Sequence, residues 1–111
     1  MHRVSFKLAD EGLHEIHGVV FIEDEVLVLR VEKKLLGLFD SDSKTIEVEP
    51  GALEEIRVQR GLFKDKLLLK PWRSELFDLI PGTHGSHIIL KVPRKERAEL
   101  EALVDAFDTL F

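Results

Sequence analysis

The stretch His87-Ile88-Ile89-Leu90-Lys91-Val92-Pro93-Arg94-Lys95-Glu96-Arg97-Ala98-Glu99-Leu100-Glu101-Ala102-Leu103-Val104-Asp105-Ala106-Phe107-Asp108-Thr109-Leu110-Phe111 changes its hydrophobic period at the proline. Before Pro93, the residues Ile88, Leu90 and Val92 alternate with neighbours that face the other way, which is the period of a strand. After it, Leu100, Leu103, Val104, Phe107, Leu110 and Phe111 recur at spacings of three and four, the period of a helix with one apolar face. Arg94, Glu101, Asp105 and Asp108 take the other side. An isolated helix of about 16 residues is marginal in water, so this one must bury its stripe on a sheet. Pro93 suits the start of such a helix, where a missing N–H costs nothing.

Upstream, period two prevails. Val4, Phe6 and Leu8 read as an opening strand. Leu13 to Ile22 places Ile16, Val20 and Ile22 on one face with Gly18 among them, and Glu23-Asp24-Glu25 then reverses the chain. Glu25 to Leu36 sets Leu27, Leu29, Val31 and Leu35 on one face. The polar run Asp40-Ser41-Asp42-Ser43 reads as a turn after Gly37, and Thr45 to Glu49 alternates again. Pro50-Gly51 has the residue order of a type II turn. Glu55 to Arg60 is the next strand, Gly61 a reversal, and Phe63 to Lys70 a strand with Phe63, Leu67 and Leu69 on one side. Between Pro71 and Ser86 the breakers Pro81, Gly82 and Gly85 interrupt the rhythm, and residues 75–80 fit either a strand or a helical turn. No internal repeat, linker or low-complexity segment appears. The expectation is one domain over residues 1–111, mainly β with one α: an antiparallel strand meander forming a bent sheet or partly open barrel, capped by the C-terminal amphipathic helix.

This order resembles the pleckstrin-homology-like (PH-like) superfold, including its bacterial members. The likeness runs over Thr45-Ile46-Glu47-Val48, Leu53-Glu54-Glu55-Ile56-Arg57-Val58, Arg60-Gly61-Leu62-Phe63, Leu67-Leu68-Leu69 and Ile88-Ile89-Leu90-Lys91-Val92, and then the helix from Arg94 to Phe111. It covers roughly residues 13 to 111 in element order and hydrophobic rhythm. The resemblance implies a bent sheet whose final helix plugs one open end. Phosphoinositide-binding members carry lysines and arginines around the first hairpin. If that hairpin tip is Glu23-Asp24-Glu25, carboxylates stand where those cations would be needed and would repel a polyphosphate. Phosphoinositide binding is therefore not expected. The eukaryotic domains usually bury a tryptophan on the helix, where this chain has Phe107 and Phe111; its one tryptophan, Trp72, precedes the last strand.

At 111 residues, with hydrophobic residues at 44% and charged residues at 33%, the chain is long enough for one modest core. The net charge of −5 and the mixing of acids with bases, as in Glu32-Lys33-Lys34, speak against nucleic acid, which needs a basic stripe. With no cysteine, disulfides, thiol catalysis and thiolate zinc sites are excluded. No apolar run approaches the roughly 18 residues of a membrane-spanning helix. The N-terminus does not resemble a signal peptide, so a cytoplasmic address is the expectation.

Motifs for chemistry are weak throughout. His14 and His17 are three apart, which on a strand sends them to opposite faces; His84 and His87 span a glycine loop with no Asp or Glu inside it. Asp40-Ser41-Asp42-Ser43 lacks the glycine and distal glutamate of a calcium loop. Ser86 beside His87, and Ser74 with Asp78, lack a nucleophile elbow. Gly82 and Gly85 lead into a strand, whereas a phosphate cradle needs a helix N-terminus. No cofactor, metal or catalytic residue is expected, and the chain reads as a non-enzyme.

Two surfaces read as contact sites. Val19, Phe21, Val26 and Val28 make the second face of two strands apolar as well, which suggests an interface, since a small sheet normally buries one face. Trp72, Arg73, Phe77 and His84 lie in the loop before the last strand and have the residue types of binding anchors; Leu79 accompanies them. The expected function is a non-enzymatic interaction module, binding a protein partner or itself as a homo-oligomer. The alternative is lipid or small-ligand binding at a barrel mouth near Trp72.

Overall fold

The alternating segments pair into strands in a computed structural model, which describes residues 2–8, 14–35, 41–77 and 87–110. Among the described residues there are seven strands: β1 (Arg3–Lys7), β2 (His14–Glu23), β3 (Val26–Leu35), β4 (Ser41–Val48), β5 (Leu53–Gln59), β6 (Lys64–Pro71) and β7 (Ile88–Pro93). They form one unclosed antiparallel sheet in the order β4-β3-β2-β1-β7-β6-β5. After β7 a 3₁₀ turn over Arg94–Glu96 leads into helix α1 (Arg97–Asp108). The expected mainly-β architecture with a closing helix is what the chain adopts, and it is consistent with a PH-like shape. No helix among the described residues is long and apolar enough to cross a membrane.

The meander is interrupted once. Strands β1 to β4 are sequential neighbours, and so are β5 to β7, but β4 does not pair with β5. The two halves join through β1 and β7, with Lys7 opposite Lys91. Strand β4 begins earlier than its composition suggests. Ser41, Asp42 and Ser43, read above as a turn, pair with Lys34, Lys33 and Glu32; pairing with a long neighbour overrides weak strand propensity. Pro50-Gly51 is also not a type II turn. Pro50–Ala52 is a 3₁₀ turn, closed by the Ala52 amide donating to the Glu49 carbonyl at 2.9 Å. Ser74–Phe77 is 3₁₀ as well, so the first part of the ambiguous 75–80 segment is helical, and 78–80 lies outside the described residues.

Asp24 and Glu25 form the two-residue turn between β2 and β3, with φ of 53° and 64°. Positive φ at both central residues matches the twist of paired strands, and it is usually supplied by Asn-Gly. Because β1 precedes β2, this acidic turn is the second hairpin and not the first. The first connection, residues 9–13, lies outside the described residues. Glu23-Asp24-Glu25 therefore does not stand at the first hairpin, and the order of strands begins at Arg3.

The concave face holds the core. Val4 and Phe6 of β1, Ile16 and Val20 of β2, Leu27 and Leu29 of β3, Leu67 and Leu69 of β6, and Leu90 and Val92 of β7 are buried there. Helix α1 lies on β1, β2, β5 and β7 and buries Leu100, Leu103 and Phe107 against them, with Val104 packed at the margin. Strands β2 and β3 come unusually close at one glycine. A Cβ added at Gly18 would lie 2.1 Å from the Arg30 carbonyl oxygen and 3.0 Å from the Phe6 ring. Only glycine lets the two backbones approach so closely. Gly18→Ala is expected to destabilise the fold by about 3 kcal/mol, read as a lowered urea midpoint, because the nearest blocking atom, the Arg30 carbonyl oxygen, is backbone and cannot rotate away.

Candidate functional site: surfaces around the bent sheet

The convex face of β2 and β3 carries the apolar row Val19, Phe21, Val26 and Val28. Cross-strand pairing sets Phe21 against Val28 and against Arg3. The guanidinium of Arg3 lies 5.0 Å from the Phe21 ring centroid and that of Arg30 lies 5.4 Å from it. Both distances suit a cation over an aromatic face, and the arginine stems add apolar cover. Phe21 and Val28 are buried within the single chain, while Val19 and Val26 remain half-exposed. Two of the four expected interface residues are thus not presented to a partner.

Beside this row, at Gly18, the outer face of the sheet has a hollow of about 270 Å³. Lys7, His17, Arg30 and Glu32 line it, together with Ser5, Val19 and Pro93. It combines cations with one carboxylate on an open floor. No sequence motif marked it, because its lining is gathered from β1, β2, β3 and the end of β7.

The loop anchors are only partly placed. Trp72 is 66% exposed and is fixed at the end of β6 by its amide, which donates to the Ala52 carbonyl at 3.1 Å. Arg73 is exposed next to it. The backbone of Phe77 ends the 3₁₀ turn, its side chain is outside the description, and His84 lies outside the described residues altogether. His17 is half-buried in the hollow and His87 is exposed at the start of β7. Among the described residues no group of three metal-ligating side chains converges.

The opposite end of β6 holds what the periodicity misplaced. Counting back from Leu69 and Leu67 puts residues 65 and 63 on the inward row. Position 65 is indeed inward, and its side chain, Asp65, is fully buried. Phe63 is not: it is 85% exposed and Leu62 is 80% exposed, at the tip of the β5–β6 hairpin. The Arg97 fork explains both facts. Its Nε donates to Asp65 Oδ2 at 2.8 Å and its Nη2 to Asp65 Oδ1 at 2.8 Å, the two-pronged geometry that arginine and carboxylate share. Arg97 also donates to the Gly61 carbonyl at 3.0 Å, and the Gly61 amide donates to Asp65 Oδ1 at 3.1 Å. Arg94 donates to the Leu62 carbonyl at 3.1 Å, and Arg60 pairs with Glu101 of α1. A Cβ on Gly61 would fall 2.2 Å from the Lys64 carbonyl oxygen, so the tight turn requires glycine. The start of α1 therefore clamps the hairpin, and the clamped tip turns Leu62 and Phe63 outward. One signal was available in the sequence: Leu62-Phe63 follows Gly61 at a reversal, where polar residues are usual.

The clamp sets an acid limb of stability. The Arg97 guanidinium holds the Asp65 carboxyl below its ordinary value; burial opposes this, and the Gly61 amide assists it. A carboxylate favoured in the folded state adds stability above its unfolded pKa of about 3.9, and the gain is lost as pH falls through the lower folded value. Urea midpoints measured from pH 7 downward should fall in that window. Asp65→Asn should be less stable at pH 7 and show a shallower fall.

Comparison with protein families, with curated proteins and with solved structures finds no match to this chain.

Proposed function

We propose that this protein is a non-enzymatic interaction module of the PH-like kind, cytoplasmic, which binds a protein strand along the edge of β4, a second copy of itself being the simplest partner. The PH-like reading is supported by two consecutive meanders bent around one C-terminal helix. The observation that carries the binding reading is the regularity of β4. It ends the sheet, and it pairs with β3 through eight consecutive residues, Ser41 to Val48, with no shift of register. The other terminal strand, β5, is irregular between Leu53 and Glu55. A long regular edge leaves a row of backbone donors and acceptors that another strand can complete, and two copies meeting antiparallel form a closed twofold pair.

Sedimentation of the intact chain should therefore show a concentration-dependent dimer. Thr45 and Glu47 are exposed on β4, so a Thr45→Lys/Glu47→Lys variant should fold normally yet sediment as a monomer, since lysines on an edge repel pairing. A wild-type chain that stays monomeric at high concentration would remove self-pairing. Trp72, exposed at the end of β6, favours a second reading in which a lipid or small ligand meets that end of the sheet; Trp72 emission that ignores neutral and anionic vesicles alike would dismiss it.

A further inference from the structure

We propose that the β5–β6 hairpin tip is a membrane contact, Leu62 and Phe63 entering the interface of an anionic bilayer while Lys64 and Arg94 meet its headgroups. This goes beyond strand pairing at β4 and does not depend on it. Leu62 and Phe63 are adjacent and the two most exposed large apolar side chains among the described residues, at 80% and 85%. Their exposure is built in. Arg97, Arg94 and the Asp65–Gly61 bond hold the backbone of the tip in place, so little ordering remains to be done on binding.

The surrounding charge names the partner. Arg60, Lys64 and Arg94 ring the tip and are exposed. The carboxylates beside them are already engaged, Asp65 by Arg97 and Glu101 by Arg60. Lys64 and Arg94 have no ion-pair partner among the described residues. A protruding apolar pair inside a basic ring is complementary to hydrocarbon beneath anionic headgroups. A protein partner would need roughly 800 Å² of matched surface on this side, which a two-residue tip does not offer. The net charge of −5 does not prevent contact, because charges more than about 8 Å away are largely screened at physiological ionic strength.

The test uses the intact chain with vesicles of phosphatidylcholine containing about a third phosphatidylserine, against phosphatidylcholine alone, where each basic residue at the surface adds roughly a fivefold gain in binding. Co-sedimentation should favour the anionic vesicles and weaken as salt rises. Leu62→Ser/Phe63→Ser should lower that binding at least about tenfold with the unfolding midpoint unchanged, and Lys64→Glu should abolish the preference for anionic lipid. A Phe63→Trp variant in a Trp72→Phe background should shift its emission to the blue on anionic vesicles. Absence of vesicle binding by the intact chain overturns the proposal, as does binding that the double serine variant retains. So does a double serine variant that alters only sedimentation, which would make the tip a protein contact. Dimerisation blocked by Thr45→Lys/Glu47→Lys with vesicle binding intact would separate the two surfaces.

Discussion

Replacing Asp65 with alanine should destabilise the protein by about 3 kcal/mol, the lower part of the range for removing one partner of a buried ion pair. The carboxylate is fully buried, yet Arg97 keeps a quarter of its side chain in solvent, so the arginine left behind can recover part of its hydration. The loss extends past the pair. Asp65 also accepts from the Gly61 amide, and Arg97 holds the Gly61 carbonyl, so the hairpin loses its internal brace and its tie to α1 together. A fall in Tm of roughly 10 °C corresponds to this loss for a domain of this size. Asp65→Asn keeps the shape and removes the charge, and it should show most of the effect. Arg97→Ala removes the other half; it frees Asp65 from its strongest stabiliser, so the acid limb should move upward in pH. The double variant should cost less than the sum of the two, since neither single loss is independent of the other.

Phe107→Ala should be of similar size or larger, about 4 kcal/mol. Phe107 is fully buried and is among the largest wholly buried side chains, with Phe6 and Phe21. It lies on the stripe that seats α1, together with Leu100 and Leu103. Its removal leaves a hole between the helix and the sheet, which close-packed neighbours cannot collapse far to fill. The helix is too short to persist undocked, so partial loosening should expose the concave core. Thermal unfolding would give the loss in stability, and increased binding of a hydrophobic dye below the transition would show whether α1 lifts before the sheet opens.

The elements legible in the sequence are those fixed by local periodicity. The switch of period at Pro93 gave the last strand and the helix, and Leu100, Leu103 and Phe107 are indeed the residues that seat it. Alternation located β1, β2, β3, β5, β6 and β7 to within a residue or two. What was not legible depends on residues far apart in sequence. Asp65 belongs on an inward row only because Arg97, 32 positions later, neutralises it, and Phe63 leaves that row because the same arginine fixes the turn. Phe21 reads as part of a surplus apolar face because the arginines over its ring, Arg3 and Arg30, come from the two neighbouring strands. Ser41-Asp42-Ser43 became strand through pairing with β3. The hollow beside Gly18 draws its lining from β1, β2, β3 and Pro93, which no local pattern brings together. The contact surfaces were the least legible part, since exposure is set by what the rest of the chain leaves uncovered.

The start of α1 clamps the β5–β6 hairpin and so displays its apolar tip in a fixed conformation. Hydrogen exchange of the Gly61 amide reports on that clamp, because among the described residues its N–H is bonded only to Asp65 Oδ1 in a turn that is otherwise exposed. The amide should be protected in the intact chain at neutral pH and should exchange freely in Asp65→Ala at a temperature where the rest of the sheet stays protected. Exchange at the unprotected rate in the intact chain would contradict the account.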